Sequence, residues 1–152
     1  MRRKTGAMKI TIQDRAEGEE DEIIIRCRHL DDRVLKMIYA LKEGQEKLTA
    51  FREGRFVQLF PKDIYYFEAV DNKVFVYLEK DVYECKLKLY ELEQRFAETD
   101  FFRATKSTIV NLSKVRSFSP AFNGRFELLM KNGEKLIVSR QYVPGLKTKL
   151  GL

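Results

Sequence analysis

The residues best suited to chemistry are long basic and amide side chains at turn positions, not a catalytic set. The stretch Phe101–Asn111, FFRATKSTIVN, places Arg103, Thr105, Lys106 and Ser107 ahead of the β-branched and apolar Thr108, Ile109 and Val110. A polar, basic loop running into a buried strand holds long side chains at a fixed place. Asn72 and Lys73 follow Asp71 at a hairpin-like turn, and Arg140 and Gln141 follow the strand-like EKLIVS. Guanidinium, ammonium and amide groups on loops between strands are the types that reach base edges in a major groove or neutralise phosphates.

Catalysis has little to build on. His29 is the one histidine, so no histidine-based ligand cluster can form. Cys27-x-His29 with Cys85 lacks the repeated spacing of a zinc site and reads as a strand thiol and a helix-entry imidazole. No dinucleotide fingerprint, Walker loop, nucleophile elbow or H-E-x-x-H is present. Phosphoryl transfer needs a metal-binding carboxylate beside a glycine-rich loop, and the sequence offers neither. The acidic run Glu17–Glu22 lacks EF-hand spacing and reads as a solvated turn. The expectation is a binding protein with no enzymatic activity, metal or cofactor.

Charge supports that direction. The net charge of +6 is unevenly spread: residues 101–152 hold 10 Lys/Arg against 2 Asp/Glu, a net of +8, while residues 51–100 carry −3 and residues 1–50 carry +1. A basic excess in one third of the chain suits a phosphate-facing surface. The alternative is a basic interaction module that meets an acidic protein or a membrane surface. No apolar run reaches the roughly 18 residues of a membrane span. The basic start MRRKTGAMKI has no apolar segment behind it, so no signal peptide is expected. Met8 serves equally as a start, with residues 1–7 an extension. Two distant cysteines point to free thiols in a reducing cytoplasm.

These side chains need a scaffold, and the sequence suggests one. MKITIQ at 8–13 and EIIIRCR at 22–28 read as short strands. Asp31 or Asp32 can cap a helix to about Leu41, with Leu30, Val34, Ile38 and Leu41 at helical spacing and Gly44 as its stop. Residues 1–46 thus form an expected small β-β-α unit for dimerisation or sensing. From Lys47 to 152 the texture is β-rich: LTAFRE, RFVQLF, IYYFEAV, KVFVYLE and VYECKLK follow in close order. Glu53-Gly54 and Asp71-Asn72 are expected hairpin turns. Leu87–Ala97 switches to helical spacing, with Leu89, Leu92 and Phe96 on one side. A strand near Val115–Ser119, a loop PAFNGR, a hairpin of FELLMK and EKLIVS with a primed turn at Asn132-Gly133, and a short terminal helix complete the chain. Phe51, Phe56, Tyr66, Phe67, Phe75 and Phe102 are expected in the core. The fold class is mainly β, α+β overall. Neither helix of the β-rich part has the basic, base-reading N-terminus of a helix-turn-helix.

Several blocks together resemble one family. Phe51-Arg52-Glu53-Gly54, Asp63-Ile64-Tyr65-Tyr66-Phe67-Glu68-Ala69 and Asn72-Lys73-Val74 look like the opening strands of LytTR domains, bacterial DNA-binding domains usually attached to receivers. Tyr90-Glu91-Leu92-Glu93 fits that family's helix. Phe102-Arg103-x-Thr105-Lys106-Ser107-x-Ile109-Val110-Asn111 is similar to its most recognisable block. Asn132-Gly133, then Val138-Ser139-Arg140-Gln141-Tyr142, is similar to its last hairpin. The resemblance covers about residues 47–150. It implies an elongated fold of short antiparallel sheets whose loops enter successive major grooves and bend the duplex. On that basis Asn72, Lys73, Arg103, Thr105, Lys106, Ser107, Arg140 and Gln141 are the expected DNA-binding residues, with Arg140 reading a base. The family often has histidine at the position of Thr105 and arginine at that of Lys106. Lys106 lacks the bidentate fork, which implies a shifted site preference. The implied protein is a cytoplasmic transcription regulator without a receiver, acting as a homodimer on repeated half-sites.

Overall fold

The computed structural model describes residues 8–152, side chains at 43–45 excepted. The proposed extension at residues 1–7 lies outside the described residues. The chain falls into two units, one ending at Leu30 and one spanning Asp31–Leu152.

In the first unit the two expected strands do not form. Residues 8–30 contain only turns and bends. Ile10, Ile12, Ile23 and Ile24 are all more than half exposed. Two short strands alone bury too little to offset the entropy of ordering them, and an isolated hairpin is at best marginal in water. Arg15 pairs with Asp21 across the acidic turn. The expected β-β-α unit is therefore reduced to its helix, which belongs to the second unit.

That helix, α1 (Asp32–Gln45), starts where the sequence suggests: the Asp31 carboxylate accepts from the Val34 amide at 2.9 Å. The cap satisfies one of the free amides of the first turn. Only part of the expected apolar stripe is buried. Val34 is enclosed, Leu30 and Leu41 are exposed, and α1 lies against a 3-10 turn at Pro61–Asp63.

The remainder is antiparallel β-structure. One sheet contains β1 (Leu48–Arg52), β2 (Arg55–Leu59), β3 (Tyr66–Val70), β4 (Lys73–Tyr77), β5 (Val82–Cys85), β6 (Phe101–Thr105) and β7 (Thr108–Asn111), in the order β2-β1-β5-β4-β3-β7-β6. A second has β8 (Val115–Pro120), β9 (Phe126–Met130) and β10 (Lys135–Val138), with β9 in the middle. Helices α2 (Leu89–Arg95) and α3 (Val143–Leu150) complete the unit.

Period-two alternation explains the layering. Along β3 and β7, Phe67 and Ile109 point into one core with Leu89, Leu92 and Phe96 of the α2 region, and Tyr66 and Val110 point into another. The second core holds Phe126, Leu128, Met130 and Val138 of the smaller sheet and Val143 and Leu146 of α3. Strands covered on both faces must be apolar on both faces, as the near-continuous IYYFEAV and STIVN runs are. Of the six aromatics expected in the core, Tyr66 and Phe67 are buried, and Phe51, Phe75 and Phe102 are half-buried. Phe56 is 65% exposed because β2 is an edge strand and its ring lies on the uncovered side against Phe51.

Candidate nucleic-acid interface

The β3–β4 turn is a primed two-residue hairpin: Asp71 and Asn72 both adopt left-handed backbone, at φ 50° and 64°. Asn and Asp tolerate this conformation better than other non-glycine residues. The turn leaves Asn72 and Lys73 exposed at its tip.

Phe101–Asn111 is not a loop running into one strand, as expected, but a hairpin. Thr105 pairs with Thr108, so Lys106 and Ser107 alone form the tip. The run FFRAT pairs because β7 offers it an open edge. The Ser107 amide donates to the Thr105 hydroxyl at 3.1 Å, which closes the tip. The Ala69 amide donates to the Ser107 carbonyl at 2.8 Å, fixing this tip beside the end of β3.

The third position is set through β6. A bulge at Ala104 bends that edge strand, and the Ala104 carbonyl accepts from the Ser139 amide at 2.9 Å. Arg140 and Gln141, the next two residues, open a 3-10 turn and are exposed. The same end of the β4-β3-β7-β6 block thus carries Asn72-Lys73, then Lys106-Ser107, then Arg140-Gln141, in that lateral order.

Arg103 stands behind this surface. Its Nε donates to the Thr105 carbonyl at 2.8 Å and one terminal nitrogen to the Lys106 carbonyl at 2.7 Å. The other terminal nitrogen donates to Glu93 Oε1 of α2 at 2.9 Å. A planar guanidinium can hold both tip carbonyls and a carboxylate at once, which an ammonium cannot. Arg140 rests on a second support. Gly124, at φ 74°, lies against its stem, and a Cβ there would come 2.9 Å from Arg140 Cδ.

A tyrosine pair, Tyr66 buried and Tyr77 half-buried, sits at the end of the β3–β4 hairpin away from its tip, and Tyr66 ties the two sheets together. Tyr66 and Tyr77 stack at 4.2 Å between ring centroids. Tyr66 donates to Glu134 in the β9–β10 turn at 3.0 Å, and Tyr77 donates to Glu68 at 3.2 Å. Burial, then the neighbouring carboxylates, push both phenols above their ordinary value. The Asn111 amide, fully enclosed, donates to the Ile64 carbonyl and its oxygen accepts from the Ser113 amide.

The structure thus brings seven of the eight expected residues to one edge and turns Arg103 inward to brace them. Residue types in the sequence indicate which side chains have reach. They do not reveal that Arg103 faces its own turn, nor that Gly124 packs on Arg140, sixteen positions further along the chain. The second contact left one trace, a glycine after Asn123 in the loop PAFNGR.

Residues 54–151 match the family profile of the LytTr DNA-binding domain. The sensory transduction protein LytT of Enterococcus faecalis is 33% identical over 100 residues, covering 66% of this chain and 41% of that protein. The chain spans less than half the length of the LytT proteins it matches. A Staphylococcus aureus protein named as the uncharacterized HTH-type transcriptional regulator SAS2254 is 24% identical over 147 residues, covering 95% of this chain and 99% of its own. A solved LytTr DNA-binding domain from Bacillus cereus superposes with a TM-score of 0.68 at 28% identity, covering 72% of this chain and all of that one. The sequence blocks, the sheet architecture and the profile match agree, and the chain belongs to the LytTR DNA-binding domain family.

Proposed function

We propose that this protein is a bacterial transcription regulator of the cytoplasm that reads double-stranded DNA with the three tips at Asn72-Lys73, Thr105–Ser107 and Arg140-Gln141. The observation that supports the reading is their alignment along one sheet end, held by the Ala69–Ser107 and Ala104–Ser139 bonds. The first two tips are two strand separations apart, roughly 10 Å. That is well under the roughly 34 Å of one DNA turn, so they address a single helical repeat. Arg140 reads a base, Lys106 a base or a phosphate, and Asn72 and Lys73 a neighbouring groove edge. Repeated half-sites would engage two copies and raise effective concentration, which a single short reading edge needs.

Selection from random duplex DNA, followed by a salt titration on the best sequence, tests this. Log K should fall linearly with log salt, with a slope of about −0.9 per phosphate neutralised. If no selected duplex binds better than random DNA at moderate salt, the reading fails.

A further inference from the structure

The loop between β8 and β9 presents Phe122 with 88% of its surface exposed, more than any other large apolar side chain of the Asp31–Leu152 unit. A single exposed phenylalanine means little in itself. This one is held in place by its loop. The Ala121 amide donates to the Arg125 carbonyl at 2.8 Å, and the Arg125 amide donates to the Phe122 carbonyl at 3.3 Å. Asn123 and Gly124 both take left-handed backbone, at φ 59° and 74°, a sharp reversal that keeps the ring out of the core. Two residues on, Gly124 touches the stem of Arg140. Arg125, also exposed, adds a cation to the same loop. A rigid turn holding an apolar ring and an arginine beside a base-reading guanidinium matches the chemistry of duplex DNA, whose sugars, thymine methyls and base steps are apolar between charged phosphates.

We propose that the Phe122–Arg125 loop is a fourth DNA-contacting element, in which Phe122 makes an apolar contact beside the base pair read by Arg140 and Arg125 meets the adjoining phosphate. This rests on the placement of Arg140 against DNA.

The test compares the full chain with Phe122→Ala, Phe122→Leu and Arg140→Ala on one selected duplex over a range of salt. Phe122→Ala should weaken binding about tenfold. Its slope of log K against log salt should stay unchanged, because no phosphate contact is lost. Its melting temperature should also hold. Phe122→Leu, which keeps apolar bulk, should recover most of the affinity. If Arg140→Ala loses base discrimination while Phe122→Ala binds as the parent does, this inference alone is overturned. A leucine variant as weak as the alanine one overturns the apolar contact. If Arg140→Ala also binds unchanged, the placement of the whole face falls, and the inference with it.

Discussion

Arg103 and Gly124 support the proposed reading side chains from behind the surface. Replacing Arg103 with Lys removes the fork that holds the Thr105 and Lys106 carbonyls and Glu93. Hydrogen bonds to charged groups contribute about 1.5–3 kcal/mol each at most, and a lysine can regain one of them. The variant should melt lower and bind all duplexes more weakly, with the salt slope almost unchanged. Calorimetry and anisotropy titrations would check this, and a slope reduced by one phosphate would make Arg103 a direct contact. Gly124→Ala should move the Arg140 stem. It should then reproduce the base-preference profile of Arg140→Ala, with little further loss in the double variant. The candidates were legible in the sequence because reach and charge belong to residue types. Which of them is turned inward depends on neighbours that meet only after folding: Arg103 finds Glu93 across a helix, and no local pattern signals that.

Elements from Leu48 onward were legible because each carries its own period and its own turn chemistry. Glu53-Gly54 and Asp71-Asn72 form the expected hairpin turns, and both are primed, with both residues of each at positive φ. Asn132-Gly133 is not. Only Gly133 is left-handed, and Met130 pairs with Glu134 around a longer loop, with the Asn132 oxygen accepting from the Glu134 amide. That loop shape aims Glu134 at Tyr66, so a long-range bond overrides the dipeptide's local preference. The N-terminal strands failed for the opposite reason, having a local pattern and no partner. The Tyr66–Glu134 joint leads to a pH prediction. The folded-state pKa of Tyr66 lies above the ordinary value of 10.0, mainly through burial. Its contribution to stability is therefore full below that value and is lost as pH rises beyond it. Melting temperature should fall above about pH 10, and Tyr66→Phe should flatten that fall while lowering stability near neutrality. An identical alkaline profile in the variant would assign the loss to other groups.

At the scale of the molecule, the Asp31–Leu152 unit carries both cores and every proposed contact. Removing residues 1–30 should leave its melting temperature and its per-chain affinity for a single half-site nearly unchanged. The segment 1–46 remains the proposed source of dimerisation or sensing. Solution mass with and without it decides the first: a dimer that becomes a monomer on truncation supports the proposal, and a monomer in both cases removes it. The basic last third of the chain is explained at this scale too, since it supplies Lys106, Arg140 and the Phe122–Arg125 loop, whereas the acidic middle supplies strands and one tip.

The most direct measurement is a base-pair scan of a selected duplex, in which every single substitution is bound in competition by the parent chain, Asn72→Ala, Lys106→Ala and Arg140→Ala. Each variant should lose discrimination at its own positions, by about 1–3 kcal/mol where the contact is a bidentate base pair. Those positions should fall in the order Asn72, Lys106, Arg140 along the duplex, as the tips fall along the sheet end. Uniform weakening on every duplex by all three variants would contradict reading by the three tips and leave only phosphate binding.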